Sequence, residues 1–261
     1  MKVLADQLSQ TGDRRRNEDR CGMFAAGTLR CFVLADGSGG HGAGDQAAEL
    51  ALAAVGAAFA GLAGATGDAV RALLDAAHRA VLGGQKANSE GRDMHATLVV
   101  LLIDEANGVA AWGHIGDSRL YCLRDGQVLC RTLDHSVVQT LLGAGFITPV
   151  QALDHPSRSQ LLSALGSEED PVSDVAGLEP LRGGDAFLLC SDGWWESLGA
   201  EDILAILASS RDPADWLARM EAHILLTPRS NRDNYSAVAI LLQGDEEMTV
   251  ILNPDSKGAQ T

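Results

Sequence analysis

Aromatic side chains are scarce in this chain, at 4% of residues, and its five cysteines include no Cys-x-x-Cys pair. An odd count without paired spacing excludes a disulfide framework and a zinc ribbon. Cys31, Cys122 and Cys190 lie in apolar, strand-like runs, where reduced core thiols sit, so a cytoplasmic setting is expected. No apolar run reaches the roughly 20 residues of a membrane span. The nearest, Ala47 to Ala65, is rich in alanine and glycine and contains Glu49. Asp6 arrives before a signal-peptide core could form, so no leader is expected. Basic residues are also in short supply, 20 Lys and Arg against 35 Asp and Glu, a formal net charge of −15. That balance argues against nucleic acid and anionic membrane as partners. Three chemistries lack their motifs. There is no Gly-x-Ser-x-Gly, no His-x-x-x-His among seven scattered histidines, and no cysteine leading a glycine-rich, arginine-ended loop.

What the chain does have is aspartate placed at the ends of buried-type strands. Asp36-Gly37 ends the run Cys31-Phe32-Val33-Leu34-Ala35, and Asp192-Gly193 ends Ala186-Phe187-Leu188-Leu189-Cys190. Asp-Gly is also the commonest tight-turn signal, and Asp125-Gly126, with a strand on either side, reads as a turn and nothing more. The other two pairs differ, because neither is followed by a second strand. Asn17-Glu18-Asp19 and Asp233-Asn234 complete four acidic stations. Carboxylates gathered by a fold repel one another unless positive charge stands between them. Hard divalent cations take oxygen ligands, so the pattern predicts Mg²⁺ or Mn²⁺. Paired cations suit attack on phosphorus by a metal-bridging hydroxide. Arg14-Arg15-Arg16, just upstream of Glu18, offers a guanidinium for phosphate oxygens; the alternative is a solvated basic turn.

The 261 residues are 46% hydrophobic, enough for one large core, and no Pro/Ser-rich linker divides them. Periodicity predicts strands over 3–10, 21–26, 30–35, 97–103, 109–115, 119–124, 127–132, 186–191, 236–242 and 248–252. It predicts helices over 43–60, 67–83, 136–144, 157–165, 200–209 and 213–226, with Ser136 and Ser157 as N-caps and Gly145 and Gly166 as stops. Strands cluster as hairpins, which favours an α+β layout of antiparallel sheets covered by helices over a doubly wound parallel sheet.

Taken in order, these segments resemble the metal-dependent type 2C protein serine/threonine phosphatases in their bacterial form. Thr11-Gly12-Asp13-Arg14-Arg15-Arg16-Asn17-Glu18-Asp19 looks like the opening motif, and Val33 to His41 like the first metal loop. His114-Ile115-Gly116-Asp117-Ser118-Arg119-Leu120-Tyr121 resembles the central motif, followed by Leu133-Asp134-His135-Ser136 and His155-Pro156-Ser157-Arg158. Leu189-Cys190-Ser191-Asp192-Gly193 and Asp233-Asn234 complete a set that spans nearly the whole chain.

The resemblance implies a four-layer sandwich, two antiparallel sheets between pairs of helices, over a catalytic domain of 1–242, with 243–261 a strand and polar tail. It implies that Asp36 bridges two metals, that the Gly37 carbonyl and the carboxylates of Asp192 and Asp233 ligate, and that Glu18 reaches a metal through water. Asp117 matches the ligand of a third, weaker metal. Arg14 takes the phosphate-binding place; because the motif is one residue short between Gly12 and Glu18, Arg15 is the alternative. Ser38 stands where the family places methionine or a proton-donating histidine, which makes His41 the substitute candidate for general acid; the alternative is that His41 caps the following helix. Met94-His95-Ala96-Thr97 departs from the usual Met-Gly-Thr-Thr, and stretch 136–170 would contain a flap bordering the site. Substrates would be phosphorylated proteins, a cognate serine/threonine kinase among them, acted on by a monomer. Two rivals remain open: a pseudophosphatase that binds without turnover, and a nucleotide-binding protein using Gly37-Ser38-Gly39-Gly40-His41-Gly42.

Overall fold

The structure, a computed structural model, describes residues 1–39, 43–87, 93–178, 180–226 and 230–244. In chain order it runs β1 (Lys2–Gln10), β2 (Asp19–Ala26), β3 (Leu29–Ser38), α1 (Ala43–Phe59), α2 (Gly67–Ala87), β4 (His95–Ala96), β5 (Leu98–Asp104) and β6 (Val109–Ile115). Then come β7 (Arg119–Arg124), β8 (Gln127–Arg131), α3 (Val137–Gly143), α4 (Pro149–Leu153) and β9 (Asp174–Leu178). The last group is β10 (Ala186–Cys190), α5 (Asp192–Trp195), α6 (Ala200–Ala208), α7 (Pro213–Leu226) and β11 (Tyr235–Gln243).

The strands form two antiparallel sheets. One has the order β1-β11-β10-β7-β8; the other has β2-β3-β5-β6-β9, with β4 paired to β3. Alternation along each strand sorts its side chains between two cores. On β3, Phe32 and Leu34 join Leu101 of β5 and Phe187 and Val238 of the other sheet in the space between the sheets. Cys31, Val33 and Ala35 face away from that space and pack on α1 and α2. Leu188 and Cys190 of β10 do the same toward Trp194, Ile203 and Trp216. The result is the four-layer α/β/β/α sandwich. Inner strands carry long apolar runs, such as Leu98 to Ile103 of β5 and all of β10, because both faces are covered, a pattern more usual in parallel sheets. Each large side chain buried this way stabilises the fold by about 1.5–3 kcal/mol.

Asp125-Gly126 is the plain β7–β8 turn, both residues at positive φ (52° and 72°). Ser136 caps α3 by accepting from the Gln139 N–H, and Gly145 (φ 72°) follows its end. The helix expected over 157–165 is absent. Its backbone donors serve successive turns, and Leu161 and Leu165 bridge to Ser136 and Ala96 instead of continuing an i→i−4 ladder. Gly166 (φ 83°) therefore stops no helix, and Ser157 caps none. Asp36-Gly37 is not at a strand tip, since β3 runs on to Ser38. Periodicity does not reveal the short elements β4, α5, the edge strand β9, or α4 with its Thr148–Gln151 capping box. The strand expected over 248–252 lies outside the described residues.

Candidate active site

One edge of the two sheets gathers the acidic stations, and backbone contacts explain how. The opening loop between β1 and β2 lies on the segment before β11. Gly12 (φ 60°) approaches so closely that a Cβ there would meet the Asp233 carbonyl oxygen at 2.2 Å. The Asp13 N–H donates to the Arg232 carbonyl (2.9 Å), and the Arg232 N–H to Asp13 Oδ2 (2.8 Å). Asn234 ties the two segments. Its Nδ2 donates to the carbonyls of Thr11 (2.7 Å) and Arg16 (2.9 Å), and its Oδ1 accepts from the Glu18 N–H (2.8 Å).

Asp19 opens β2 directly opposite Asp36 on β3. The Asp36 N–H donates to Thr97 Oγ1 (3.3 Å), and the Thr97 N–H returns a bond to the Asp36 carbonyl (2.8 Å). Gly37 is demanded by closeness: a Cβ would sit 2.0 Å from the Gly44 carbonyl in the first turn of α1. The Glu18 carboxylate reaches the same turn, because a Cβ on Gly44 would lie 2.9 Å from Glu18 Oε2. Asp192 opens α5, and Gly193 lets that turn rest on Asn234, whose carbonyl would be 2.1 Å from a Cβ. Asp117, 8% exposed, follows β6; its carbonyl accepts from Trp195 Nε1 (2.9 Å). Beside it Arg119 grips Asp134 with two 2.7 Å bonds and lies 3.5 Å over the Trp195 ring.

Asp19, Asp36, Asp117, Asp192 and Asp233 thus share one region, and their affinity for protons reflects it. Removal from water pushes Asp36 well above its ordinary value, and the charges of Asp19, Asp192, Asp117 and Asp233 push the same way. Burial likewise raises Asp192, helped by Asp117, Asp233, Glu196 and Asp19. Asp117 is raised to about 7, by burial and then by Asp134. Asp19 is raised to about 6, again by burial first, although bonds from Ser236 and Ser191 oppose it. Glu18 is also raised, by burial and then Asp45, with Arg14 opposing.

Arg14 stands on this cluster, its Nη2 2.6 Å from Asp233 Oδ2. Arg16 comes only to 4.0 Å of Asp45. Arg15 is exposed, and among the described residues it makes no ion pair with the cluster. His41 lies outside the described residues.

The donors fit hard divalent cations: they are all oxygen, and they repel one another as they stand. Asp19 Oδ1 is buried without a hydrogen-bond partner, although its Oδ2 accepts from Ser191 Oγ (2.9 Å). A buried acceptor left empty is costly unless a cation or water meets it.

A second group of metal-capable side chains, His114, His135 and Asp174, comes together within 4.8 Å on β6, β9 and the loop after β8. The two imidazole rings stack 4.4 Å apart at 18°, which aims their in-plane lone pairs side by side and not at one point. The scattered histidine spacing gives no sign of it.

The family profile for protein phosphatase 2C matches residues 8–227. The chain belongs to the protein phosphatase 2C family. The serine/threonine protein phosphatase PstP of Mycobacterium tuberculosis is 39% identical over 198 residues, 74% of this chain and 36% of that protein. This 2C-family chain therefore spans little more than a third of that relative's length. The protein phosphatase PhpP of Streptococcus pneumoniae is 34% identical over 215 residues, 80% of this chain and 85% of that one. The crystal structure of the PstP catalytic domain in complex with two manganese ions superposes with a TM-score of 0.77. Its identity is 31%, over 93% of this chain and 99% of that one.

Within the 2C fold, Asp36, Asp117, Asp192 and Asp233 are brought together and Arg14 joins them. Sequence reasoning passes over Asp19 as a site residue, and gives no role to Asn234 or to the Arg119–Asp134–Trp195 group. Asp19's signals are its membership of the Asn17-Glu18-Asp19 acidic station and its place at the end of the opening motif.

Proposed function

We propose that this chain hydrolyses phosphoserine and phosphothreonine esters in proteins, with Mn²⁺ or Mg²⁺ as cofactor, over a catalytic unit of 1–242. The observation that carries the reading is the gathering of buried carboxyls at one edge, with Asp36, Asp117 and Asp192 all raised by burial first and by neighbouring carboxylates second, which an oxygen-ligated cation cluster would relieve. Asp36, the Gly37 carbonyl, Asp192 and Asp233 would hold two tight cations, Glu18 would reach one through water, and Asp117 would serve a weaker third. Such cations lower the pKa of water enough for it to act as a nucleophile at phosphorus near neutral pH.

The chain's own residues do the rest. Arg14 has donors beyond the Nη2 that meets Asp233, and a guanidinium takes two phosphate oxygens at once. Asn234 fixes the loop that carries Arg14 and Glu18, so clamp and ligands keep one spacing. Asp19, bonded by Ser191, sets the strand opposite Asp36. His41 is the proposed donor of a proton to the leaving serine or threonine oxygen. A cavity of about 790 Å³ lies between α3, α4 and the β7–β8 hairpin, lined by Arg131, Leu142, Ile147, Arg158 and Trp195. It would receive the substrate chain beside the phosphorylated residue. Phosphorylated proteins, a serine/threonine kinase among them, are the proposed substrates of a cytoplasmic monomer. Among the described residues no helix is long and apolar enough to cross a membrane.

The test is phosphate release from a phosphothreonine peptide with Mn²⁺ and with chelator. Release that needs the cation supports the reading. Binding of the peptide without release would make the chain a pseudophosphatase.

A further inference from the structure

Of the five cysteines, four have thiols pushed up in pKa: Cys21, Cys31 and Cys190 by burial, and Cys122 first by a hydrogen bond with Cys130. Cys130 alone is lowered, and the bond from Cys122 is the first cause. These two face each other in register across β7 and β8. Directly opposed residues of an antiparallel pair have Cα atoms about 4.5–5.5 Å apart, inside the span of about 4.4–6.8 Å that a disulfide bridges. Both side chains point to the space between the sheets, Cys122 fully buried there and Cys130 partly covered.

Cys130 is also within reach of solvent. It lines an open cavity of about 290 Å³ with Arg131, His114 and Asp174. A partly exposed thiol backed by a buried second thiol is the arrangement in which oxidation starts on one sulfur and is resolved by the other. The remaining cysteines have no such neighbour in register.

We propose that Cys122 and Cys130 are a reversible redox pair, oxidised by hydrogen peroxide to a disulfide that staples the β7–β8 hairpin. The Cys130 thiolate attacks one peroxide oxygen; the O–O bond breaks, and the hydroxide that leaves takes up a proton to give water. Cys130 is then a sulfenic acid. The Cys122 sulfur gives up its proton and attacks the Cys130 sulfur, the S–O bond breaks, and a second water leaves. Two thiols lose two electrons and one peroxide becomes two waters. A thiol reductant reverses the change by exchange at the sulfurs. A pair of this kind suits a reducing compartment, where disulfides are transient and sensing. The β8 end of the staple leads through Thr132 to Asp134, which holds Arg119 beside Asp117, so the bond forms a few residues from the candidate site.

The test treats the metal-loaded full chain with substoichiometric to modest excess peroxide, blocks free thiols with N-ethylmaleimide, and digests with trypsin without reductant. Cleavage at Arg119, Arg124 and Arg131 places Cys122 in 120–124 and Cys130 in 125–131. The expected product is these two peptides joined, two hydrogens lighter than their sum, and separated again by dithiothreitol. Cys21, Cys31 and Cys190 should still be free for alkylation once the chain is unfolded. With Cys122→Ala, Cys130 should instead reach sulfinic acid or join a second molecule, for want of its resolving thiol. The proposal is overturned by any of three results on the unaltered chain: Cys130 recovered as sulfinic acid, paired with another cysteine, or still reduced at a peroxide dose that fully oxidises free glutathione in a parallel sample.

Discussion

Arg14 lies 2.6 Å from Asp233, a contact that supports it over Arg15, the alternative raised by the shortened opening motif, as the proposed phosphate clamp. Arg14→Ala is expected to raise KM for a phosphopeptide about 10- to 100-fold, the range of a lost charged hydrogen bond, with metal affinity little changed. Arg15→Ala should leave KM near its starting value; steady-state kinetics of both variants decides between them. Asp192→Ala should cut turnover by about 100-fold or more at saturating Mn²⁺, since direct ligands matter at least as much as the groups that orient them. In chelator the same variant should melt no lower than the parent, because it removes one of several repelling carboxylates. Asp117→Ala should lose turnover while calorimetric titration still finds the two tight cations. The aspartates that end apolar runs were legible because a charge closing an apolar run is conspicuous, although β3 itself runs on past Asp36. Asp19 was legible only as part of the Asn17-Glu18-Asp19 station, since nothing local sets it apart from Glu18 until pairing puts it opposite Asp36. Asn234 was legible only as a neighbour of Asp233, because its three bonds reach residues more than 200 positions away.

At the scale of elements, glycine separates contact from mere loop chemistry. Gly37→Ala must push β3 from the first turn of α1, where 2.0 Å would separate Cβ and the Gly44 oxygen. Overpacking of this kind costs about 1–3 kcal/mol, or a fall of several degrees at about 2–4 °C per kcal/mol. Gly83→Ala is the converse. Gly83 is exposed within α2 with nothing near its missing Cβ, so alanine should add about 0.5–1 kcal/mol. Paired thermal melts check both signs, and an unchanged Gly37→Ala melt would show that the approach can relax. The central strands and α1, α2, α6 and α7 were legible because their apolar spacing matches what they bury. The helix expected over 157–165 was not: its residues bridge to Ser136 and Ala96, contacts that no local period reveals. The edge strand β9 was invisible for the related reason that Asp174 to Leu178 is mostly uncovered and includes Gly177.

For the whole molecule, the acidic edge couples stability to both protons and cations. A carboxyl held higher in the folded chain than in the unfolded one keeps its proton between those two values, so folding takes up protons across that interval. Asp117 near 7 and Asp19 near 6, against ordinary values near 4, place the interval above pH 4. In chelator, lowering the pH from about 7 to about 5 should therefore raise the melting temperature. With Mn²⁺ bound the sign should reverse, because protons then compete with the cation for the same oxygens. Differential scanning calorimetry at several pH values, with and without Mn²⁺, reads both slopes; parallel slopes would contradict the cation assignment. The nine-pair register of β1 with β11 has a further consequence. Lys2 to Gln10 and Tyr235 to Gln243 are neighbours in space and remote in sequence, so closing the first sheet waits on a long loop and gives a high contact order. A growing polypeptide on the ribosome exposes Arg14 and Glu18 early, yet holds them without Asp233 and Asn234 until more than 230 residues have been made. Synthesis thus acts as a timer on this fold: the incomplete chain carries half a site, and competence arrives in one step with the late strand.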